Sequence, residues 1–144
     1  MSMQDTTHYS AACVQACRDE IAAQIQAYRD LVGAASKASG MSLTRIDAAL
    51  ATFEPAFFNN LLIALDARFA ARPDDRGPLA EARVLAASLM HGGGVLVAQP
   101  AIPYDADASV LRIDVGERIA LNADDFEALC AAFLAALPGS VSRT

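Results

Sequence analysis

Side chains that commonly carry catalysis or bind metals are scarce in this chain. Its 144 residues include no tryptophan, two histidines, one lysine and three cysteines. Cys13, Cys17 and Cys130 form no C-x-x-C pair, and neither histidine has the spacing from them that zinc ligands show. We therefore predict reduced, buried thiols, no metal, no cofactor and no catalytic residue, a pattern more typical of a binding protein than of an enzyme.

Positive charge is scarce as well. Eleven basic residues face seventeen acidic ones, giving a net charge of −6 and a pI near 4.7. Phosphate binding needs a basic surface, so we expect no nucleic-acid partner. Arg68, Arg72, Arg76 and Arg83 do cluster, but acidic residues lie among them and a helix dipole favours arginine in its last turn. A solvated helix end is the favoured interpretation, with an anion site as the alternative.

The chain also lacks targeting signals. Its first ten residues, MSMQDTTHYS, have neither a basic start nor an apolar stretch. Elsewhere Asn, Asp and Arg interrupt the apolar runs before they reach the ~20 residues of a membrane span. We expect a soluble, cytoplasmic protein with no membrane partner.

What the chain has is apolar content sufficient for a core. Hydrophobic residues make up 54% of it and charged residues 19%, which excludes global disorder. No linker separates two apolar regions, so we predict a single α+β domain over residues 9–138. Residues 1–8 and 139–144 are predicted to be disordered ends.

Helical periodicity accounts for most of the chain. A first helix is predicted from about Tyr9 to Ala38, and a second from Ser42 or Thr44, with a break at Pro55. A third is expected from about Pro78 to His91, where three glycines end it. The last has Asn122 as its cap and ends at Pro138-Gly139, and its apolar stripe is Phe126, Leu129, Cys130, Phe133, Leu134 and Leu137.

Two regions before the last helix have the pattern of strands. Val95 to Ala98 is short, apolar and β-branched, while Leu111, Ile113 and Val115 alternate with polar residues. A turn at Gly116 would make a hairpin in which Ile113 lies opposite Ile119. The predicted fold is therefore α+β and mainly α: a bundle of four or five helices with a small antiparallel β-hairpin or three-stranded sheet before the last helix.

The segment FEPAFFNNLLIALDARF, from Phe53 to Phe69, places polar side chains inside an almost wholly apolar helix. A buried polar group without a partner costs about 1–3 kcal/mol, so these groups must be bonded. The favoured interpretation is structural: Asn59 and Asn60 are buried and bond neighbouring backbone. The alternative is a polar ligand site, with Glu54 as acid or base and Asn59, Asn60, Arg83 and His91 orienting the ligand.

The tetrapeptide His91-Gly92-Gly93-Gly94 resembles the HGGG loop of some lipases and esterases. That loop follows a strand and works with a G-x-S-x-G nucleophile, and the sequence predicts neither. A helix ended by glycine is the favoured interpretation. The alternative is a turn that lets a ligand approach the backbone.

The Phe53–Phe69 string, the glycines after the third helix, and the run VGERIALNADDF followed by AAFLAAL also resemble known sequences. A set of uncharacterised bacterial hypothetical proteins has FFNN, GG and VGD-type segments in the same order. The resemblance covers the chain from about residue 53 onward. It implies one intact domain, and it implies no activity, substrate or catalytic residue.

Two functions remain as hypotheses. The first is a small, non-catalytic interaction module that acts as a homodimer and buries surplus apolar helix surface against a second copy. The second is a small-molecule-binding protein or enzyme with its site at Glu54, Asn59, Asn60 and His91. Convergence of these four side chains on one cavity would favour the second, and local bonds to backbone would favour the first.

Overall fold

A computed structural model of the chain describes residues 9–37, 41–72 and 76–138. These residues form four α-helices and one short 3₁₀ turn: α1 (Ala11–Ala35), α2 (Met41–Arg68), α3 (Pro78–His91), the 3₁₀ turn (Ala106–Ala108) and α4 (Ala123–Ala136). The part of the chain that is described is all-helical, so the predicted α+β class is wrong. The segments 1–8 and 139–144, predicted to be disordered, lie outside the described residues.

Helix α1 follows its sequence pattern closely. The Ser10 side chain accepts a hydrogen bond from the Cys13 N–H at 3.0 Å and so caps the first turn. Apolar residues recur along it at steps of three and four and predict one buried stripe, which is buried at Val14, Cys17, Ile21, Ile25 and Tyr28, whereas its last member, Val32, is 37% exposed. This stripe packs α1 against α2 and α4.

Helix α2 is continuous over 28 residues, so the predicted break at Pro55 is wrong. Proline lacks the N–H that would bond the carbonyl of Ala51 four residues earlier. Ala51 and Thr52 are exposed, which lets water take the place of that donor. The helix therefore tolerates Pro55 without ending.

Helices α3 and α4 have the ends that local signals predicted. Pro78 occupies the first turn of α3, where its missing N–H has no role. Asn122 accepts from the Asp125 N–H at 2.7 Å, and the Asp125 carboxylate accepts from the Asn122 N–H, forming a capping box at the start of α4. Both helices pack on the second half of α2.

Phenylalanine side chains lie at the centre of the core. Phe58 and Phe69 of the α2 region and Phe126 and Phe133 of α4 are fully buried. Their rings meet in pairs across the helix interface, with centroids 5.8 Å apart for Phe58 and Phe126 and 5.9 Å for Phe69 and Phe133. These contacts join α2 and α4.

The predicted strands do not form a sheet in the described residues. Residues 94–96 meet residues 116–119 in an isolated antiparallel bridge between Val95 and Arg118. Three backbone bonds surround it, among them Leu96 N–H to Glu117 O at 2.9 Å and Gly116 N–H to Leu96 O at 2.8 Å. Pairing this short makes no named strand.

The predicted hairpin between residues 111–115 and 119–121 is absent from the described structure, and the expected pairing of Ile113 with Ile119 is wrong. Arg112 has a φ of 55°, which breaks the extended run. A turn from Asp114 to Glu117 places Gly116 at a φ of 94°, a conformation that suits glycine. The alternation remains visible only in burial, since Leu111 and Ile113 are half-buried and their neighbours are exposed.

Side chains from α2 and α3 supply hydrogen bonds that a neighbouring strand would otherwise supply. They bond the backbone of residues 92–122, the long connection before α4, which we call the anchored segment. In chain order, the side chains that hold it and the start of α4 are Glu54, Asn59, Glu81 and Ser88. Because its backbone is bonded in this way, the segment needs no sheet.

Candidate functional site

Asn59, a predicted ligand-binding residue, holds the end of the anchored segment. Its Nδ2 donates to the Ile119 carbonyl at 3.1 Å, and its Oδ1 accepts from the Leu121 N–H at 3.2 Å. The carboxamide thus bonds the backbone at both ends of the tripeptide 119–121, as a neighbouring strand would. Asn59 is half-buried rather than fully buried, but its bonds are the backbone bonds that the structural interpretation predicted.

Glu54, the predicted acid or base, is a residue of α2 whose carboxylate lies at the start of α4. Its carboxylate accepts from the Ala123 N–H at 3.0 Å, where the helix dipole favours a negative charge. It also interacts with the Tyr28 hydroxyl of α1. Burial, followed by the charge and hydrogen bond of Glu54, raises the pKa of Tyr28. Glu54 therefore connects three helices.

Asn60 lies on the surface. The expectation that both asparagines would be buried is wrong for Asn60, which is exposed. A helix turns by about 100° per residue, so adjacent positions lie on different faces, and the bonds of Asn59 fix the orientation of α2. This orientation turns Asn60 outward.

Arg83 belongs to an ion-pair network at the other end of α2. Its Nε lies 3.4 Å from Asp66 Oδ1, and Arg72 Nη2 lies 2.6 Å from the same oxygen. The Arg72 side chain is fully buried, donates to the Leu79 carbonyl at 3.0 Å and covers the Phe133 ring at 4.9 Å. The predicted solvated position is therefore wrong for Arg72, which joins α2 to α3.

His91 ends α3 and is exposed. With Arg83 it lines a groove of about 260 Å³ between α2 and α3, where exposed Met90 also lies. Glu54 and Asn59 bond residues 119–123 instead. The structure thus brings Arg83 and His91 together and places Glu54 and Asn59 in a second group.

The glycines after His91 have a packing role. A Cβ on Gly92 would come within 2.9 Å of the Ser88 carbonyl oxygen and 3.0 Å of a Val97 methyl group. Gly93 and Gly94 have φ angles of 70° and 84°, which suit glycine alone. The turn is therefore shaped by the close approach of residues 95–97 to α3.

Glu81 is the polar residue that sequence reasoning missed. It is only 1% exposed, and its two carboxylate oxygens accept from the Val110 N–H at 2.8 Å and the Leu111 N–H at 2.9 Å. Burial raises the pKa of Glu81, and the two backbone bonds partly oppose that rise. A signal was present, because Glu81 shares a helix face with Leu85 and Ser88, both fully buried.

A cleft of about 530 Å³ lies beside Glu81, between the start of α3 and residues 103–109. Its polar walls are already bonded within the protein. Tyr104 donates to the Ile113 carbonyl, Asp105 accepts from the Asp107 N–H, and Ser109 donates to the Ala106 carbonyl at 2.8 Å. These bonds shape the loop.

The three cysteines are free thiols. Burial raises the pKa of Cys130 to about 12 and also raises the pKa of Cys17, so neither forms a thiolate readily. Among the described residues, no group of three His, Cys, Asp or Glu side chains is placed to hold a metal ion.

One helix of the described structure, Thr44–Arg68 of α2, is long and apolar enough to cross a membrane. It reaches this length in spite of the polar residues inside it. Core helices of soluble proteins meet the same criterion, so this property alone assigns no location.

A larger unexplained feature is the apolar surface where α1 ends and α2 begins. We call it the arm surface and define it as Tyr28, Leu31, Val32, Phe53 and Phe57. Leu31 is 49% exposed and Phe53 is 44% exposed. No described side chain between residues 44 and 57 is buried.

Comparison with known proteins adds no assignment. No protein-family model, curated protein or solved structure matches the chain. The resemblance to uncharacterised bacterial proteins stays a prediction.

Proposed function

We propose that the protein is a small cytoplasmic, non-catalytic interaction module that acts as a homodimer. The observation that carries this proposal is the uncovered first half of α2. No described side chain from residue 44 to residue 57 is buried, and Phe53 is 44% exposed. Large apolar surfaces of this kind are typical of interaction sites, and a symmetric dimer is the commonest arrangement that covers them.

The bonding of the polar side chains supports a non-catalytic role. The acidic group proposed for chemistry, Glu54, is bonded to the start of α4, and the more deeply buried Glu81 is bonded to two backbone N–H groups. A general acid or base needs access to the proton it transfers. Carboxylates engaged in this way stabilise the fold instead.

The ligand-binding alternative depended on convergence of four side chains. Glu54 and Asn59 bond locally to residues 119–123, Asn60 is exposed, and His91 lies in the groove between α2 and α3. This arrangement weighs in favour of the interaction module.

Sedimentation equilibrium of the purified protein tests the proposal. A homodimer gives twice the chain mass of 15.1 kDa, with a monomer fraction that grows on dilution. A monomer mass at every concentration up to tens of micromolar would contradict the proposal. A tight dimer at the lowest concentrations would support it further.

A further inference from the structure

We propose that the arm surface is the dimer interface and that its occupant is the arm surface of a second copy. The inference rests on the proposed homodimer and assigns its contact region. In a two-fold symmetric dimer each copy presents the same patch, so the patch must be self-complementary.

The aromatic residues of the arm surface form a continuous layer. Tyr28 stacks on Phe53 and Phe57 at centroid distances of 6.4 and 6.2 Å, and the two phenylalanines stack on each other at 5.2 Å. The interplanar angles are 17–19°. Tyr28 and Phe57 also pack edge-to-face on the buried Phe58. Phe53, the most exposed of the three rings at 44%, is therefore the ring that this layer presents to a partner.

Leu31 and Val32 extend this layer along α1. They follow Tyr28 by three and four residues, so they lie on the same helix face. Leu31 is 49% exposed and Val32 is 37% exposed, whereas Tyr28 is 8% exposed. The apolar surface therefore continues beyond the point where the core ends.

The position of α4 explains why the first half of α2, with its part of the arm surface, is uncovered. Glu54 bonds Ala123, the first residue of α4, and Arg29 pairs with Asp124 and Glu127 in the same turn and the next. Residues 44–53 of α2, which precede Glu54, extend about 15 Å further at 1.5 Å per residue. None of them is buried, so α4 does not reach them.

The size of the arm surface fits the centre of a dimer interface. The exposed parts of its five side chains amount to an apolar area on the order of 300 Å². A standard interface buries about 800 Å² per partner, with an apolar centre and a polar rim. The neighbouring exposed residues of both helices supply the rim.

The charges around the arm surface favour a second copy of the chain. In sequence, Asp30 on α1 and Lys37 just after α1 lie beside the arm surface, and Arg45 and Asp47 flank Ile46 on α2. These charges sum to zero in a chain whose net charge is −6. Two arm surfaces can therefore meet with less charge repulsion than more acidic faces of the chain would add.

A membrane is a less suitable partner for the arm surface than a second copy of the chain. Binding to an anionic bilayer uses an excess of Lys and Arg, and the arm has none. Glu54 and Asn59 also hold the middle of α2 to residues 119–123, so α2 cannot leave the bundle without losing these bonds.

The test compares a substitution in the arm surface with a matched one elsewhere. Phe53→Glu and Leu31→Glu place a charge at the proposed interface. Met90→Glu places the same charge at a side chain that is 58% exposed on α3. Because each change occurs twice in a symmetric dimer, we expect the arm variants to raise the dimer Kd by more than about 30-fold. Met90→Glu should leave the dimer Kd within about threefold of wild type.

The possible results distinguish the arm surface as the interface, a dimer formed elsewhere, a monomer, and binding to a membrane. Circular dichroism spectra and melting curves of the diluted variants confirm that the monomers fold. A wild-type dimer that persists in folded Phe53→Glu and Leu31→Glu would overturn the arm interface and leave the homodimer intact. A wild-type monomer would overturn the homodimer itself. A wild-type monomer that sediments with vesicles of neutral or anionic phospholipid, while Phe53→Glu does not, would assign the arm to a membrane.

Discussion

The two halves of α2 are both apolar, yet they have different environments. In the second half Phe58, Leu62 and Leu65 are at most 2% exposed. In the first half no described side chain is buried, and Phe53 is 44% exposed. Burial along one helix is therefore set by which elements lie beside it.

Polar residues follow the same division. Four of them, at the middle of α2 and along α3, bond the backbone of the anchored segment and the start of α4: Glu54, Asn59, Glu81 and Ser88. The first half of α2 has charged residues only at the edge of its apolar face, as Arg45 and Asp47 show. One region is stabilised within the chain, and we propose that the other is completed by a second copy.

The largest expected effect is a difference in the free energy of unfolding between substitutions of Phe58 and Phe53, two aromatic residues of α2. Phe58→Ala should lower the free energy of unfolding by about 3–5 kcal/mol, because it leaves a cavity in the core. Phe53→Ala should cost less than about 1 kcal/mol at concentrations where the protein is monomeric. Urea denaturation of both variants makes the comparison. Equal losses in the dilute protein would show that Phe53 is part of the core.

The second prediction compares the two asparagines. Asn59→Leu should lower stability by about 1–3 kcal/mol, because the Ile119 carbonyl and Leu121 N–H lose their partners. Asn60→Leu should change stability by less than about 0.5 kcal/mol, since Asn60 is exposed. Thermal melts of both variants test this difference. An Asn59→Leu variant as stable as wild type would show that the Asn59 side chain has no structural role.

The third prediction concerns the effect of pH on Glu81, the buried carboxylate that bonds the anchored segment. Burial raises the pKa of Glu81 above its ordinary value of 4.5, so the folded state holds that proton more tightly than the unfolded chain does. The resulting stabilisation is fully present below pH 4.5 and is lost as pH rises through the raised pKa.

Glu81→Gln does not titrate and serves as the reference for this effect. As pH falls from 7 towards 4.5, wild type should gain stability relative to the variant. Denaturant melts of both proteins at several pH values give that difference. A difference that is constant or has the opposite slope would contradict the raised pKa.

The smallest expected effect lies at the boundary between the two halves. Pro55→Ala should raise the melting temperature slightly, with a gain of about 1 kcal/mol, because alanine restores the missing N–H within α2. The gain is modest because proline restricts the unfolded chain and water reaches the Ala51 carbonyl. A loss of stability would show that Pro55 is needed for the path of the helix.

Local signals predicted several elements because their causes lie within a few residues. Pro78 and the glycines after His91 bound α3, and the Asn122 capping box begins α4. The apolar stripe of α1 was likewise visible as a period of three and four. The break at Pro55 was wrong because the lost bond faces water, and sequence alone does not show where water lies.

The sheet and part of the candidate site depended on distant contacts. Leu111 and Ile113 have the alternation of a strand, but the N–H groups of Val110 and Leu111 bond Glu81, thirty residues earlier in the chain. Asn59 was identified from its apolar surroundings, and the structural hypothesis predicted its backbone bonds. The helix face of Glu81 indicates that it is buried, but its backbone partners at residues 110–111 are found only when those residues lie beside α3.

The sequence by itself determined α1, α3 and α4, the cap of α4 at Asn122 and the apolar faces of α1 and α4, because these follow from spacing and from hydrogen bonds between near neighbours. The tertiary structure alone decided which apolar faces are covered and which backbone groups accept helix side chains as partners. Both depend on packing between residues far apart in the chain. For this reason residues 111–115, which alternate as a strand would, lie in the anchored segment without a sheet, and the first half of the apolar helix α2 is left uncovered.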